Sequence, residues 1–499
     1  MDRKVSVLKF GGTSVGSGER IRQVAQIVAR QAQQFEEDFP AVVVSAMAGV
    51  TDQLLRITRS ITTGEFEASL REIDALNTKH HEAAEVVTSS PEEHSQLLAT
   101  LEEAFTRFER DIERLRAARS NADELPLRTA AVASWGERLS VLLVAAAIRA
   151  CGVPSEAVRE EVIIIEMPRG EIPYVPGTVI GAEPLEAETR ENAARLVAPL
   201  LARRVVPVMA GFIGRTHDGI VATLGRNGSD YSAAVIGAAL DCKEVAIYTD
   251  VDGVLTADPR IVPNARLLPY LSYAEAAQLS WFWAKVLHPR TLVPLADRDV
   301  PVRVRNTFRP QTDGTIVGPV GEQQSAAATA ITVRRHLALI TVESRHLFGA
   351  SESVEQIFSL AARANITPVA TCSSSGQHLA FLVEEKAAAS VVKLLQHDSE
   401  NWKVTSRGGL AACACIGSGF TSNPLSPARA VTALAREHIP LITQGTSNQA
   451  ILLVIQDRDS ERALRALHRE LVSPVIPLAS RRRSYQKRRE ARLAQVNCW

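Results

Sequence analysis

Residues 5–18 read Val5-Ser6-Val7-Leu8-Lys9-Phe10-Gly11-Gly12-Thr13-Ser14-Val15-Gly16-Ser17-Gly18. The apolar residues from Val5 to Phe10 predict a buried strand, and the glycine-rich stretch after it predicts a tight turn. A helix over residues 19–35 should follow, because Ile21, Val24 and Val28 recur at helical spacing. This strand, turn and helix are typical of an α/β fold.

The same alternation of apolar runs and amphipathic stretches continues to about residue 320. Further buried strands are predicted at 41–45, 162–165, 205–209, 221–224 and 244–249. Polar or glycine residues follow them, as expected where parallel strands deliver loops to one edge of a sheet. The charged residues 64–118, with a Ser-Ser-Pro break at 89–91, predict a helical hairpin outside the sheet.

A change of composition at residues 318–329 indicates a domain boundary, and an internal repeat of two β-α-β-β-α units lies beyond it. In the first unit we expect a strand at 366–370 and a turn at 373–376. In the second we expect a strand at 441–443 and a turn at 445–448. The predicted domains are 1–320, 330–397 and 403–472, followed by a basic tail at 473–499 that we expect to be disordered.

Composition excludes several classes of protein. The chain has 499 residues, of which 46% are hydrophobic and 22% charged, as in soluble proteins with more than one domain. No uninterrupted apolar run reaches the roughly 18 residues of a membrane span, and no cleavable hydrophobic region follows Met1, so a cytoplasmic protein is expected. The six cysteines form no C-x-x-C pair and are interpreted as free thiols.

The charge distribution argues against a nucleic-acid partner. Lysine and arginine together number 56, as do aspartate and glutamate, but residues 481–492 hold seven basic residues and one acidic residue. The rest of the chain therefore carries 49 basic and 55 acidic residues. A nucleic-acid protein usually carries its positive charge on the folded domain, so we expect the basic tail to be solvated.

The turn after the first strand has the features of a phosphate site. Glycines let a phosphate approach backbone N–H groups at a helix N-terminus, and the nearby Lys9 can neutralise its charge. The alternative is a simple strand-to-helix corner. A Walker A loop does not fit, because Ser17-Gly18 stands where that motif requires Lys followed by Ser or Thr.

Read whole, Lys9-Phe10-Gly11-Gly12-Thr13-Ser14 resembles the signature start of the aspartate kinases. Other segments similar to motifs of that family follow in order: Ser45–Thr51, Ser134–Ser140, Leu224–Ser232, Tyr248–Val254 with Asp258–Arg260, and Ala284–Pro289. The likeness covers residues 5–317 and, more loosely, the repeat to about 472. It implies an αβα three-layer amino-acid-kinase domain with a mainly parallel sheet, followed by two ferredoxin-like ACT units (βαββαβ).

The resemblance implies ATP-dependent phosphorylation of the β-carboxylate of L-aspartate, the first step of the lysine, threonine and methionine pathway, with feedback through the ACT units. A carboxylate nucleophile is already ionised at neutral pH, so no general base is needed. Two anions must be brought together, so the site has to supply cations and N–H donors.

The family pattern assigns catalytic roles to Lys9 on the transferred phosphoryl group, Arg226 on the substrate carboxylates, and Asp230, which would either hold Lys9 or receive the ammonium. Glu137 would meet the aspartate ammonium, although by itself the Glu137-Arg138 pair would be interpreted as an exposed helical ion pair. The implied aspartate-binding residues are Ser45, Thr51, Glu137, Arg226 and Ser229.

For the nucleotide, the resemblance implies Mg-ATP, with Mg²⁺ carried by the phosphates and no metal site on the protein. Two residues depart from the family pattern: Leu255 replaces a usual tyrosine, and Trp283 replaces a glycine just before Ala284-Lys285. The implied ATP-binding residues are Lys9, Gly11, Gly12, Thr13, Ser14, Thr249, Asp250, Leu255, Arg260, Lys285 and Val286.

The ACT likeness implies a small amino-acid effector and a homodimer or tetramer formed through the ACT units. Val369 stands where lysine-inhibited relatives place an aspartate, which favours threonine over lysine. The candidate effector residues are Leu347, Gly349, Ser351, Val369, Ser373, Gln444 and Ser447. Threonine-sensitive relatives are often fused to homoserine dehydrogenase, so the chain resembles the kinase part of such an enzyme.

Two other functions stay open at this point. One is another amino-acid kinase, acting on glutamate or acetylglutamate. The other is a non-catalytic amino-acid sensor in which Trp283 has closed the nucleotide site.

Overall fold

The computed structural model describes residues 5–34, 38–167, 181–225, 227–282, 287–319, 328–344, 357–361, 366–375, 378–397, 402–417, 420 and 425–472. The chain divides into two compact units. The first comprises Met1–Gly253 and Leu287–Pro319, and the second comprises Val254–Val286 and Val320–Trp499. The segment Val254–Val286 therefore groups with the C-terminal part of the chain. The predicted tail at 473–499 lies outside the described residues.

The strands, numbered along the chain, are β1 (Val5–Phe10), β2 (Phe39–Val44), β3 (Ser155–Ala157), β4 (Ile165–Glu166), β5 (Glu183–Pro184), β6 (Val206–Ala210), β7 (Ile213–Arg215), β8 (Val221–Thr223), β9 (Glu244–Thr249), β10 (Tyr270–Ser272), β11 (Val302–Asn306), β12 (Thr315–Gly318), β13 (Ala330–Ser344), β14 (Ala370–Ser375), β15 (His378–Glu384), β16 (Trp402–Ile416), β17 (Thr443–Thr446) and β18 (Ala450–Gln456).

The helices are α1 (Gly18–Gln34), α2 (Val50–Thr63), α3 (Phe66–Val87), α4 (Pro91–Ala118), α5 (Glu124–Ala133), α6 (Trp135–Ala150), α7 (Glu186–Leu196), α8 (Ala198–Ala202), α9 (Gly228–Ala239), α10 (Tyr273–Trp281), α11 (Pro289–Ala296), α12 (Glu385–His397), α13 (Leu425–Arg436) and α14 (Ser460–Leu471). A short 3₁₀ turn spans Asp457–Asp459.

The first unit is built on a mainly parallel sheet with the strand order β12-β11-β9-β1-β2-β6-β3. The pairs from β11 through β3 are parallel, and β12 is antiparallel to β11. Phe10 is in register with Val44 and Tyr248, so the carboxyl ends of β1, β2 and β9 meet at one edge. Parallel sheets are covered by helices on both faces, and every residue of β2 is buried.

The central helices α5 and α6 are unusually apolar. By length and composition alone, residues Glu124–Ala150 could cross a membrane, but 89% of the most apolar window is buried inside the protein. Thirteen of the sixteen residues of α6 are buried. Helices α5 and α6 therefore belong to the buried core that they share with α4 and the strands of the sheet.

Two predicted strands of the parallel sheet are wrong. Of the predicted run at 162–165, only Ile165 is in a strand, the short β4, and it pairs antiparallel with β5. The run at 221–224 forms β8, which pairs antiparallel with β7. A short apolar run does not distinguish a central parallel strand from a hairpin strand. The turn between β7 and β8 depends on Gly219, whose φ of 81° favours glycine.

The second unit contains a six-stranded antiparallel sheet with the order β14-β15-β13-β16-β18-β17. β13 and β16, each 15 residues long, pair at its centre and join the two repeats edge to edge. The strands predicted at 366–370 and 441–443 instead occur as β14 and β17. The turns predicted at 373–376 and 445–448 therefore begin inside these strands, because Ser and Thr tolerate extended edge positions as well as turns.

The segment Val254–Val286 is packed into the second unit by apolar and polar contacts. Ala257 and Val262 share a buried core with Leu464 and other residues of α14. The Thr256 hydroxyl lies 2.9 Å from Nε2 of His468 on α14. These contacts explain why the segment groups with the C-terminal repeats although residues 287–319, which separate it from the rest of the second unit, belong to the first unit.

Candidate active site

Lys9 and Asp230 form a partly enclosed ion pair at the carboxyl edge of the parallel sheet. Lys9 is the penultimate residue of β1, and Asp230 lies in the first turn of α9. The Lys9 Nζ is 2.5 Å from Asp230 Oδ1, and the side chains are 10% and 18% exposed. Of the two roles expected for Asp230, this geometry favours holding Lys9 in position.

The turn after β1 is shaped for an anion. A Cβ on Gly12 would lie 3.1 Å from the Ala46 carbonyl oxygen, so glycine permits the close approach of the loop after β2. In the described part of the chain, the N–H groups of Gly12 and Thr13 donate to no other protein group. Neighbouring free N–H groups beside a lysine are a typical phosphate-binding arrangement.

Ser14 supports this turn from inside. The residue is fully buried, its N–H donates to Gly11 O at 2.9 Å, and its hydroxyl lies 2.6 Å from the Thr307 hydroxyl. Its hydroxyl group is therefore already hydrogen-bonded to another residue of the protein. The sequence prediction placed Ser14 on the nucleotide, whereas these contacts assign it to holding the turn.

Glu137 is a buried carboxyl group close to Lys9. It lies in the first turn of α6, is 3% exposed, and burial raises its pKa to about 8, with Lys9 and the amide of Ala46 acting in the opposite direction. Its Oε2 has no hydrogen-bond partner among the described residues. A buried acceptor of this kind suits an incoming ammonium group.

The alternative interpretation of Glu137 as half of an exposed ion pair is wrong. Arg138 forms its ion pair with Glu161 and stacks near the Trp135 ring, so it points away from Glu137. Gly136 explains the burial of Glu137, because a Cβ at this position would lie 2.7 Å from the Ala46 Cβ. Helix α6 can therefore approach the loop after β2 very closely.

The loop after β2 carries the predicted substrate residues Ser45 and Thr51. Ser45 is half-buried and its N–H donates to Phe10 O at 3.0 Å, which ties this loop to the end of β1. Thr51 lies in the first turn of α2, which begins after Gly49 with φ of 80°. The Lys79 ammonium supports the loop from α3 by donating to Ala48 O at 2.6 Å.

The turn between β8 and α9 leads into Ser229 and Asp230, which lie in the first turn of α9. Gly225 and Asn227 both adopt the left-handed conformation, with φ of 77° and 56°. A Cβ at Gly211 would lie 2.8 Å from the Ser229 Cβ, so the loop after β6 packs directly against this turn. Arg226, the third predicted catalytic residue, lies outside the described residues.

Thr249 is the last residue of β9 and Asp250 follows it, at the same sheet edge. The Thr249 hydroxyl donates to the Asp250 carboxylate at 3.1 Å. Asn306 donates to Asp250 O at 3.3 Å and to Asp252 Oδ1 at 2.7 Å, and so shapes this loop. The sequence reasoning missed Asn306; its position at the end of the buried strand β11 was the available signal.

The other predicted nucleotide residues belong to the second unit or are not described. Leu255 forms an isolated β-bridge with Leu267. Arg260 is 86% exposed and pairs with Asp258 at 2.6 Å, an arrangement that lowers the pKa of Asp258. Residues Trp283, Lys285 and Val286 lie outside the described residues.

The described effector candidates lie around the two edge strands of the second unit. Val369 is buried, with 3% exposure, just before β14, and its carbonyl oxygen accepts from Trp281 Nε1 at 2.8 Å. Gln444 is exposed on β17, and Ser447 follows it. A Cβ at Gly445 would lie 3.4 Å from Thr371 O, so β14 and β17 are neighbours.

Some effector candidates are described only in part. Ser373 is described as part of β14, by its backbone alone. Leu347, Gly349 and Ser351 lie outside the described residues. Among the residues that the structure describes, no three His, Cys, Asp or Glu side chains form a group able to hold a metal ion.

The chain is similar to known proteins along most of its length. The model of the amino acid kinase family matches residues 4–306, and a model of the ACT domain matches residues 414–471. Aspartokinase 1 of Arabidopsis thaliana is 31% identical over 93% of this chain and 79% of its own length. A bifunctional aspartokinase/homoserine dehydrogenase of Haemophilus influenzae is also 31% identical, but the chain spans 56% of its length.

Solved structures give the same result. Aspartokinase III of E. coli in complex with aspartate and ADP matches with a TM-score of 0.73 and 28% identity, over 94% of this chain and 99% of that one. Its complex with lysine and aspartate matches with a TM-score of 0.76 at the same identity, over 94% and 100%. The predicted fold class is confirmed, and the chain belongs to the aspartokinases of the amino acid kinase family.

Proposed function

We propose that the chain transfers the γ-phosphoryl group of ATP to the β-carboxylate of L-aspartate, forming 4-phospho-L-aspartate. The observation that carries the proposal is the placement of Lys9 at 2.5 Å from Asp230 and close to the buried Glu137, beside the free N–H groups of the glycine turn. A fixed cation between two carboxyl groups is suited to phosphoryl transfer between anions.

Each charged side chain of the site has a separate proposed role. Lys9 and the turn amides stabilise the negative charge on the transferred phosphoryl group, and Asp230 fixes the Lys9 side chain in place. Glu137 offers its unpartnered Oε2 to the ammonium of aspartate. We assign Arg226 to the substrate carboxylates, where a planar guanidinium can make a bidentate contact. Ser45, Thr51 and Ser229 are the proposed hydroxyl donors to aspartate.

We propose that Mg²⁺ accompanies ATP and is bound mainly by its phosphates. Mg²⁺ keeps several waters and needs only one or two protein carboxylates in such sites, and Asp250 at the end of β9 is available. Thr249, Asp250, Leu255, Arg260, Lys285 and Val286 are the proposed contacts to the rest of the nucleotide. We further propose a cytoplasmic enzyme that assembles as a dimer or tetramer through its ACT units.

A substrate panel tests the assignment against the two other functions. Purified protein with Mg-ATP should release ADP in a coupled assay when aspartate is added, and not with glutamate or N-acetylglutamate. A preference for either of the latter would indicate a different amino-acid kinase. No ADP release with any of the three, together with no heat of Mg-ATP binding by calorimetry, would indicate a sensor without catalysis.

For regulation we propose a small amino acid bound near β14 and β17, with threonine favoured over lysine. The E. coli relative was crystallised with lysine, so both must be tested. The support for threonine is chemical. Val369 offers no anion, and an unpaired buried ammonium costs roughly a few kcal/mol. Gln444 and Ser447 can instead exchange hydrogen bonds with a hydroxyl group. Stronger inhibition by lysine than by threonine would contradict the choice of effector, but it would leave the proposed kinase activity unaffected.

We propose that Trp281 transmits effector binding to the nucleotide segment. Its indole N–H bonds to Val369 O at 2.8 Å, and helix α10, which ends at Trp281, precedes the motif Ala284-Lys285-Val286 in sequence. A capping box of Ser272 and Glu275 fixes the start of α10, and Thr329 donates to Glu275 at 2.7 Å. The helix is thus held at both ends within the second unit.

Trp281→Phe should keep the uninhibited rate within about twofold and raise the effector concentration for half-inhibition by about fivefold or more, because it removes the indole N–H that bonds to Val369 O and leaves a smaller aromatic ring in its place. Inhibition curves measure this directly. Val431→Ala, a change at a partly exposed position on α13, is the matched control and should leave the curve unchanged. An unshifted curve for Trp281→Phe would rule out this route.

A further inference from the structure

Arg290 contacts the chain on both sides of the turn between β8 and α9. The residue lies in the first turn of α11. Its Nη1 donates to Leu224 O at 3.2 Å, just before the turn, and its guanidinium lies 4.5 Å from the centre of the Tyr231 ring, just after Asp230. Arg290 therefore contacts the chain before and after Ser229 and Asp230, two residues assigned to the aspartate site.

The same guanidinium holds a second segment of chain against this turn. Its Nη2 donates to Ala182 O at 3.3 Å and forms an ion pair with Glu183 at 2.6 Å. The Ala182 N–H donates to Thr223 O at 2.9 Å, so the two segments are also paired by their backbones. Arg290 is 30% exposed and Glu183 is 70% exposed, so solvent screens the ion pair. The bonds to the carbonyl oxygens are the better protected contacts.

The turn needs such support because of its backbone. Asn227 has φ of 56° and Gly225 has φ of 77°. The left-handed region is unfavourable for residues other than glycine, and it persists where surrounding contacts hold it. An arginine can donate to two carbonyl oxygens and a carboxylate at once, because its N–H groups form a rigid planar fork. A lysine has no such fork.

We propose that Arg290 is a positioning residue for aspartate: it holds the turn between β8 and α9, and with it Ser229 and Asp230 in the first turn of α9, in the binding conformation. This proposal rests on the proposed function, because a role in positioning aspartate requires that aspartate is the substrate. Arg290 would act through the turn and not by touching the substrate itself. Its effect should fall on aspartate and not on ATP. The sequence reasoning missed Arg290, which directly follows the quoted motif that ends at Pro289.

Steady-state kinetics of Arg290→Ala test the proposal. The KM for aspartate should rise about tenfold or more, because the hydrogen bond to Leu224 O, the contact with the Tyr231 ring and the bonds that hold the Ala182 segment against the turn are all lost, while the KM for ATP stays within about twofold. Arg290→Lys should give an intermediate KM for aspartate, since it keeps the charge and loses the fork. Glu183→Gln should change the KM for aspartate by less than about threefold, since that ion pair is screened.

Arg298→Ala is the matched control. This residue lies just beyond α11 and pairs with Glu186, at an exposure similar to that of Arg290. It should leave both KM values within about twofold of the parent. Methylguanidinium added to Arg290→Ala should partly restore the KM for aspartate, which a general loss of stability would not allow.

The outcomes separate the two claims. A parent protein that does not phosphorylate aspartate would defeat the proposed function itself. An active parent with an unchanged KM for aspartate in Arg290→Ala, or with equal rises in both KM values, would overturn the role of Arg290. If thermal unfolding shows that Arg290→Ala is not folded, Arg290→Lys decides by the same KM comparison.

Discussion

Lys9→Ala should lower kcat by at least about a hundredfold, because it removes a preorganised cation from the charge that develops on the transferred phosphoryl group. The loss should persist when both substrates are saturating. The Lys9 ammonium is fixed by Asp230 at 2.5 Å, so it needs no reorganisation during the reaction. Free lysine-like amines in solution should therefore not replace it efficiently.

Two further variants make the result specific. Lys9→Met keeps most of the side-chain volume without the charge, and it should be as inactive as Lys9→Ala if charge is what matters. Lys243→Ala removes a lysine whose ammonium lies 3.6 Å from Asp38 and which is 43% exposed, and it should keep its rate. Near-normal turnover by Lys9→Met would contradict the role assigned to Lys9.

Glu137→Gln should raise the KM for aspartate by about tenfold or more, because the substrate ammonium loses a charged hydrogen-bond acceptor. kcat at saturating aspartate should change much less, since the ammonium is distant from the bond being formed. Glu161→Gln, which alters the partner of Arg138 beyond the site, is the control and should leave the KM for aspartate unchanged. Equal losses for Glu137→Gln at saturating and low aspartate would refute the assignment.

Glu137 should also make aspartate binding depend on pH. Burial raises its pKa to about 8, so the carboxyl group is mostly protonated in the aspartate-free enzyme at neutral pH. It must lose this proton to pair with the ammonium. The kcat/KM for aspartate should therefore rise as the pH increases from about 6 to about 8.5, and Glu137→Gln should lack this rise.

The same shift should appear in stability. The pKa of Glu137 in the folded protein, about 8, lies above its reference value of 4.5, so the folded state binds the proton more tightly than the unfolded state. The resulting contribution is complete below pH of about 4.5 and is lost as the pH rises through about 8. Without aspartate, Glu137→Gln should therefore gain thermal stability relative to the parent as the pH rises over this range.

The sequence predicted the elements whose periodicity is strong. The strand, turn and helix at residues 5–34 and the hairpin of α3 and α4 follow the apolar spacing closely. The hairpin of β7 and β8 could not be predicted, because a run of three strand residues carries no signal of its pairing partner. The grouping of Val254–Val286 with the C-terminal repeats likewise depends on tertiary contacts such as that between Thr256 and His468.

The candidate site was predictable as a set of motifs but not as a geometry. The family resemblance pointed to Lys9, Glu137 and Asp230, but the ion pair of Lys9 and Asp230 joins two residues far apart in the chain, and local sequence does not encode this. The inward turn of Ser14 toward Thr307 was missed for the same reason. Glu137 was ambiguous because its burial depends on Gly136 packing against the neighbouring loop.

The central claim is that the chain makes an acyl phosphate on the β-carboxylate of aspartate, and trapping that product tests it most directly. Purified protein should be incubated with Mg-ATP, aspartate and hydroxylamine, and the products identified by mass spectrometry. We predict aspartate β-hydroxamate in an amount equal to the ADP formed, and none with Lys9→Met. ADP formed without the hydroxamate, or a hydroxamate formed from glutamate in preference to aspartate, would contradict the account.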